Sequence, residues 1–441
     1  MIDLSHLKGE RYGVFGLGRT GMAAVKALVA GGARVLAWDD AEPLRAAAAA
    51  AGAKIGDLAT ASLDGMKAIV WSPGAPFLAP APLPAARAAR IAGVPLISDI
   101  QLLFDAPGGA RFVGVTGSNG KSTTTALIAH ILERAGLKVG VGGNLGPPTL
   151  GLPSLNADGI YVLEMSSYQL ELTPRPRFDI AILLNLEPDH LDRHAGMHRY
   201  AAVKRRIFDG AGVAIVGVDD PHGVWLQKRL ADRMRVLPIS ASDSLNGALP
   251  GPALLGRHNR QNAAAAYRTA EALGLSHGVI AAGLGDFPGL PHRQELTRRI
   301  DRVRYINDSK ATNAAATARA LASFDRIYWI AGGLPKDGGL KGVEPWLDRI
   351  AGVFLIGKAE AEFARQLAAM APGLPVVRSG ALEPAIQAAH KAAQSDPLPS
   401  VVLLSPACAS FDQFESYEAR GAAFRDAVGQ LPSARHQGAV A

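Results

Sequence analysis

RFVGVTGSNGKSTTTALIAHILERA, residues 111–135, passes from an apolar strand through a glycine-bearing loop into a helix. Arg111–Val115 reads as a strand of a parallel sheet, since it is apolar without alternation. The helix runs to about Ala135. Between them, Thr116-Gly117-Ser118-Asn119-Gly120-Lys121-Ser122-Thr123 sits where a phosphate loop must sit. Glycines let backbone wrap a phosphate, the helix N-terminus aligns N–H groups on it, Lys121 adds a point charge, and Ser122 can ligate Mg²⁺. The full phosphate-loop pattern departs at one place, with Val115 standing where glycine is usual.

Strand–helix alternation extends in both directions, the pattern of parallel α/β sheets. Residues 12–38 read as a βαβ unit: strand Tyr12–Gly16, helix Thr20–Ala30 closed by Gly31 and Gly32, strand Arg34–Trp38. Further strands are expected at Ala68–Trp71, Val94–Ser98, Ile160–Glu164, Asp179–Leu184, Val213–Gly217, Val303–Asn307, Arg326–Ile330, Val353–Ile356 and Val401–Ser405. The breakers Asp105–Ala110 and Pro288–Pro291 suggest boundaries. The expected fold is α/β in three consecutive domains. A Rossmann-like N-terminal domain covers 1–106, a central P-loop ATPase-type domain with a mostly parallel sheet covers 107–290, and a C-terminal Rossmann-like domain covers 291–441.

Composition bounds the function. The chain is 441 residues long, 48% hydrophobic and 19% charged, enough for several separate cores. The opening MIDLSHLKGERYGVFGLG lacks the basic and apolar stretches of a signal peptide, and no apolar run reaches membrane-spanning length. One cysteine, Cys408, fits a reducing compartment. A cytoplasmic protein without membrane insertion is expected. Net charge is +7, but the basic residues are scattered and not interleaved with aromatics, which argues against nucleic-acid binding.

Other motifs cluster at strand ends, where open α/β sheets bind ligands. Gly16-Leu17-Gly18-Arg19-Thr20-Gly21 matches G-x-G-x-x-G, with Asp39 and Asp40 near the place of a ribose-binding acid. Ser72-Pro73-Gly74 is a second turn of this kind. Glu164 and the segment Asn185–Asp192, with His190, end strands beside the phosphate loop, where Mg²⁺ ligands belong. Spacing alone makes Lys204 a solvated helix residue. Asn307–Asn313, Gly332–Gly338 and Ser405–Phe414 would line one sheet edge as a substrate wall. Asp308 could there cap a helix. Cys408 makes a poor nucleophile, with no histidine in its loop.

Together these segments resemble the Mur ligase family. The resemblance is carried by 116–123, Asn144-Leu145-Gly146, 164–170, 185–193, His258-Asn259-Arg260-Gln261-Asn262, GLPHRQE at 289–295, and the three C-terminal loops. NDSKATN, SPACASFDQF and the early GLGRTG resemble the branch that adds D-glutamate to UDP-N-acetylmuramoyl-L-alanine. The resemblance implies an ATP-dependent, Mg²⁺-using ligase acting through an acyl phosphate in peptidoglycan precursor synthesis, and a monomer. It places Gly117, Ser118, Asn119, Gly120, Lys121, Ser122, Thr123, Asn259, Asn262, Arg293 and Asp308 at ATP, and Ser122, Glu164, His190 and a carbamylated Lys204 at metal. Lys121, His190 and Lys204 would be catalytic. Arg19, Thr20, Asp39, Ser72, Pro73, Gly74 and Asn144 match positions at the UDP-sugar; Lys310, Thr312, Lys336, Ser410 and Tyr417 match the D-glutamate pocket. Tyr417 stands where relatives are expected to carry Phe.

Three rivals follow from the same residues. A sister ligase would add another amino acid, L-glutamate included. A nicotinamide oxidoreductase on the first domain leaves 116–123 and everything beyond unexplained. A non-catalytic nucleotide-binding scaffold fits poorly with Lys121, Glu164, His190 and Lys204 occurring together.

Overall fold

Short β-branched runs separated by Ala-rich helices build three sheets in succession, seen in a computed structural model describing residues 1–78, 81–254, 256–336 and 338–432. The chain divides into two compact units. Met1–Pro250 with Arg257–Asp286 forms the first; Gly251–Gly256 with Phe287 onward forms the second.

The first unit holds two sheets. Strands β1 (Arg11–Phe15), β2 (Arg34–Trp38), β3 (Lys54–Ile55), β4 (Met66–Trp71) and β5 (Leu96–Ile97) pair in the order β3-β2-β1-β4-β5, all parallel. Strand order reverses between β1 and β4, so the ends of these two strands flank a crevice. Gly16 follows β1 at φ +84, and a side chain there would strike the Cβ of Ser72 after β4. Phe15 and Trp71 stack at 4.2 Å across the same pair of strand ends.

In the second sheet, β6 (Arg111–Thr116), β7 (Lys138–Gly143), β8 (Gly159–Glu164), β9 (Ile180–Leu183), β10 (Val213–Gly217) and β11 (Arg235–Ile239) pair in the order β11-β10-β9-β6-β8-β7. Every pairing is parallel. The strand leading into the glycine loop is therefore interior, fixed by β9 on one side and β8 on the other. The helix after it, Lys121–Arg134, packs against the helix Arg257–Ala272, which presents the fully buried Ala263–Ala266. Small side chains let these helices approach closely.

The second unit holds β12 (Glu295–Ile300), β13 (Val303–Asn307), β14 (Ile327–Gly332), β15 (Ile350–Ile356), β16 (Val376–Gly380) and β17 (Ser400–Leu404) in the order β12-β13-β17-β14-β15-β16. β12 is antiparallel to β13 and the remaining pairings are parallel. This sheet is thus parallel except at one edge, in the domain expected to be Rossmann-like. No described helix is long and apolar enough to cross a membrane.

The first glycine loop generates a stability prediction. A methyl group at Gly21 would collide with the Gly16 carbonyl oxygen, because the helix starting at Arg19 packs tightly against its own strand. Gly21→Ala should cost about 1–3 kcal/mol by overpacking. An unchanged urea midpoint would show that the loop yields freely.

Candidate active site

The loop after β6 is shaped by two glycines that no L side chain could replace without strain, Gly117 at φ +151 and Gly120 at φ +82. A side chain at Gly120 would also strike Asn262 Oδ1. Lys121 folds back over the loop, its Nζ donating to the carbonyl oxygens of Gly117 (3.0 Å) and Ser118 (2.9 Å). Ser122 is buried in the first helical turn. Ser118 Oγ accepts from the Glu187 N–H (2.9 Å), donates to the Glu187 carbonyl (2.8 Å) and meets Tyr200 Oη at 3.0 Å.

Tyr200 lies on the helix Met197–Arg205, which also carries Lys204. The sequence reading of Lys204 by spacing alone is overturned: it is 2% exposed, because the apolar face of this helix turns it inward. Its Nζ donates to the Gly117 carbonyl at 2.8 Å and to Thr116 Oγ1 at 3.3 Å, and among the described residues it has no ion pair with a carboxylate. Burial, then the Lys121 charge, lowers its pKa from 10.5 to about 7. A substantial fraction of Lys204 is a neutral amine near neutrality.

Glu164 closes β8 beside the loop and is 2% exposed. Oε1 accepts from Asn144 Nδ2 at 2.8 Å, while Oε2 is buried with no hydrogen-bond partner among the described residues. An anionic oxygen in that state is costly without a cation. Glu164 Oε2 and the Ser122 hydroxyl are hard oxygen donors at the phosphate loop, so these residues fit Mg²⁺. No group of three or more His, Cys, Asp or Glu suited to a metal occurs among the described residues.

His190 adopts φ +52 at the start of the helix Leu191–His194 and is exposed. It pairs with Asp189 at 3.6 Å and lies edge-on to Tyr168. Four residues on, His194 is fully buried, its Nε2 2.9 Å from Ser167 Oγ, with burial pushing its pKa down to about 4. The sequence reading passed over His194, which locks the Glu164-bearing segment to the Lys204 helix as a neutral ring packed by Tyr168 and Tyr200.

At the first sheet, Asp39 accepts from the Leu17 N–H (2.6 Å) and the Ala41 N–H (2.9 Å), bracing the glycine turn. Arg19 and Gly74 are exposed, and Thr20, Ser72 and Pro73 are half-buried around the crevice. Arg19 Nη2 donates to the Gly146 carbonyl at 3.3 Å, and the Asn144 N–H donates to the Glu164 carbonyl at 2.8 Å. The predicted sugar-site residues Arg19 and Asn144 thus sit along one path leading to Glu164. Asn259 and Asn262 are buried on the helix Arg257–Ala272, linked at 3.0 Å, and Asn262 lies against Gly120.

In the second unit β13, β17 and β14 are parallel neighbours, so their following loops share one sheet edge. The Ala407 N–H donates to the Ala311 carbonyl, and Leu334 exchanges backbone bonds with Ala409. Asp308 does not cap a helix: the helix Ala314–Leu321 is capped by Asn313. Instead Asp308 accepts from Ser405 Oγ (2.8 Å) and the Gln294 N–H (3.2 Å), and burial raises its pKa to about 7 despite nearby Arg293. Lys310 Nζ lies 5.3 Å from the Tyr417 ring centroid. Thr312 is half-buried, Ser410 buried and Lys336 exposed on the neighbouring loops. Asp337 of the GLPKDG loop lies outside the described residues. Cys408 is fully buried, its thiol pushed up to about 12, which removes it as a nucleophile.

Family models match these two regions: the Mur ligase middle domain over residues 115–247, and the Mur ligase glutamate ligase domain over 292–408. A protein of Paramagnetospirillum magneticum named UDP-N-acetylmuramoylalanine–D-glutamate ligase is 48% identical, with 97% of this chain and 98% of that protein covered. Proteins of the same name from Rhodospirillum rubrum and Phenylobacterium zucineum are 45% and 44% identical, over 99% and 98% of this chain and 98% of each relative. The chain belongs to the Mur ligase family. Its fold also matches two solved ligases of low identity. The UDP-N-acetylmuramate–alanine ligase of Thermotoga maritima gives a TM-score of 0.54 at 17% identity, covering 95% of this chain and 99% of that one. A UDP-N-acetylmuramoyl-L-alanyl-D-glutamate–2,6-diaminopimelate ligase gives 0.55 at 19%, covering 98% and 95%.

One further residue of this Mur ligase escaped the sequence reading. Arg420 is 1% exposed on the helix Tyr417–Gly429. It donates to Ser309 Oγ (3.0 Å) and to the carbonyls of Ser309 (2.9 Å), Cys408 (3.1 Å) and Ala409 (3.3 Å). It clamps two of the three loops from behind. An arginine in an ordinary helical pattern gives no signal that it points inward.

Lys204 makes stability depend on pH in this ligase. Its folded pKa lies below the unfolded value, so between about pH 7 and 10.5 the unfolded chain holds the extra proton. The penalty is full below that window and vanishes above it, so stability rises with pH through it. Urea midpoints in carbonate-free buffer should show a weaker rise in Lys204→Met. An identical slope would mean that Lys204 titrates normally.

Proposed function

We propose that this chain joins the amine of D-glutamate to the L-alanyl carboxylate of UDP-N-acetylmuramoyl-L-alanine, at the cost of ATP, in cytoplasmic peptidoglycan precursor synthesis. The observation that carries the chemistry is the meeting of Lys121 and Lys204 on the Gly117 carbonyl, beside the unpaired oxygen of Glu164. D-glutamate as acceptor rests on relatives of that name along nearly the whole chain.

The L-alanyl carboxylate oxygen attacks the γ-phosphorus, forming a C–O–P link as the bond to ADP breaks and ADP leaves with the electron pair. The D-glutamate amine then attacks the acyl carbon, loses a proton and expels phosphate. Both reacting groups of the first step are anionic, so the chain's main task is to neutralise them. Gly117–Thr123 with Lys121 cradle the β- and γ-phosphates; Asn259, Asn262, Arg293 and Asp308 serve the rest of ATP. Glu164, Ser122, His190 and carbamylated Lys204 would hold Mg²⁺, which supplies positive charge at the phosphoryl oxygens.

Carbamylation suits the Lys204 environment. The neutral amine bonds to the carbon of CO₂ and releases a proton, leaving an N-bound carboxylate. A buried amine thereby becomes an anionic oxygen donor. The UDP-sugar takes Arg19, Thr20, Asp39, Ser72, Pro73 and Gly74 in segment 1–106 together with Asn144 of segment 107–290, which also carries most of the ATP residues. Lys310, Thr312, Lys336, Ser410 and Tyr417 in 291–441 meet the two carboxylates of D-glutamate, for which ammoniums and hydroxyls are apt partners. We read the protein as a cytoplasmic monomer.

Phosphate release and product formation with ATP, Mg²⁺, the UDP-sugar and a panel of amino acids test the reading. D-glutamate alone should support turnover. Turnover with L-glutamate or another amino acid instead would assign a sister activity. Lys121→Ala should lower kcat by about 10²–10³. Lys204→Ala should be inactive and partly rescued by a short carboxylic acid; unrescued full activity would remove the carbamate.

A further inference from the structure

Behind the phosphate loop runs a chain of directed hydrogen bonds that the reaction itself does not touch. Asn185, just past β9, accepts the Asn119 N–H on Oδ1 (2.9 Å) and the Ser118 N–H on its backbone carbonyl (3.0 Å). Its Nδ2 donates to Gln261 Oε1 (3.2 Å) and to the Asn119 carbonyl (3.3 Å). Gln261 Nε2 in turn donates to Asp219 Oδ2 (2.9 Å), just past β10. Asp219 is braced by the Ala241 N–H (2.8 Å) and Ser240 Oγ (2.7 Å).

The orientation of each amide is forced by the next. A carboxylate only accepts, so Gln261 must turn Nε2 toward Asp219 and Oε1 toward Asn185. Asn185 must then offer Nδ2 to Gln261 and Oδ1 to the Asn119 N–H. Flipping either amide sets acceptor against acceptor. Gln261 is 6% exposed, so water is a poor substitute for a lost partner. It also lies between Asn259 and Asn262 on one helix, and a side chain at Gly217 would press on its Nε2.

We infer that Asp219 and Gln261 are positioning residues for the nucleotide: through Asn185 they fix the backbone of Ser118 and Asn119 in its phosphate-receiving shape. This rests on reading Thr116–Thr123 as the ATP phosphate loop. The charge of Asp219 is not what matters; its accepting oxygen is. Asp219→Asn keeps an oxygen for Gln261 and Ala241, whereas Asp219→Ala removes it and Gln261→Glu replaces the donor by a second acceptor.

Titration calorimetry with ADP on the full chain tests this. Asp219→Ala and Gln261→Glu should each raise the Kd for ADP about tenfold, while Asp219→Asn stays within about twofold. In the two weakened variants, amide hydrogen exchange over 116–123 should quicken while KM for D-glutamate holds. Should Gln261→Glu not fold, Gln261→Met, which lacks both the donor and the added charge, should still weaken ADP severalfold. Unchanged ADP affinity in the folded variants overturns the relay, as does Asp219→Asn proving as damaging as Asp219→Ala. No ADP binding by the unaltered chain overturns the phosphate-loop reading and the relay with it.

Discussion

Two ammonium groups, Lys121 and Lys204, donate to one carbonyl oxygen, that of Gly117. Such a pairing is unfavourable in a buried setting unless one group gives up its proton or an anion arrives. Both outcomes serve a site for phosphoryl transfer. The loop carbonyls are already taken up by lysines, so the backbone that might repel a phosphate is screened. The orphaned oxygen of Glu164 provides the opposite imbalance nearby. Buried groups of both signs thus meet at this loop, a setting that suits a charged ligand set.

That arrangement depends on where parallel sheets end. β6 is flanked by β8 and β9, so Glu164 and Asn185 emerge on either side of the loop. Tyr200 ties the Lys204 helix to Ser118, and His194 ties the same region to Ser167. From Glu164 the contacts run through Asn144 to the turn ending at Gly146, and from there to Arg19 on the first sheet's glycine loop. Arg19 and Glu164, proposed for the UDP-sugar and the metal, are thereby joined through a few polar contacts within one compact unit.

Much of the fold was legible because interior strands are apolar runs with sharp breakers. Arg34–Trp38, Val213–Gly217 and Val303–Asn307 occur as expected. The strands that escaped lie at or near edges or are poor in side chains: Lys54–Ile55 has two residues, Lys138–Gly143 is half glycine, and Glu295–Ile300 carries charge. Edge strands need satisfy only one neighbour and so show weaker patterning. The phosphate loop and the three C-terminal loops were legible from their polar density at strand ends. Lys204, His194 and Arg420 were not, since inward-facing charge on a helix depends on tertiary partners distant in sequence.

Arg420 shows why those partners matter in the second unit. Its guanidinium is answered by a hydroxyl and three carbonyls, with no carboxylate partner among the described residues, and burial lowers its pKa to about 10. The loops at 307–313 and 405–414 thus spend negative dipole ends inward on the clamp. Burial raises the Asp308 pKa to about 7, which disfavours its negative charge in the same loop. Donor side chains at this edge include the half-buried Lys310 and Thr312 and the buried Ser410. A pocket for a dicarboxylic amino acid would need donors of this kind, and how the loops are anchored would bear on it as much as the residues that would touch the ligand.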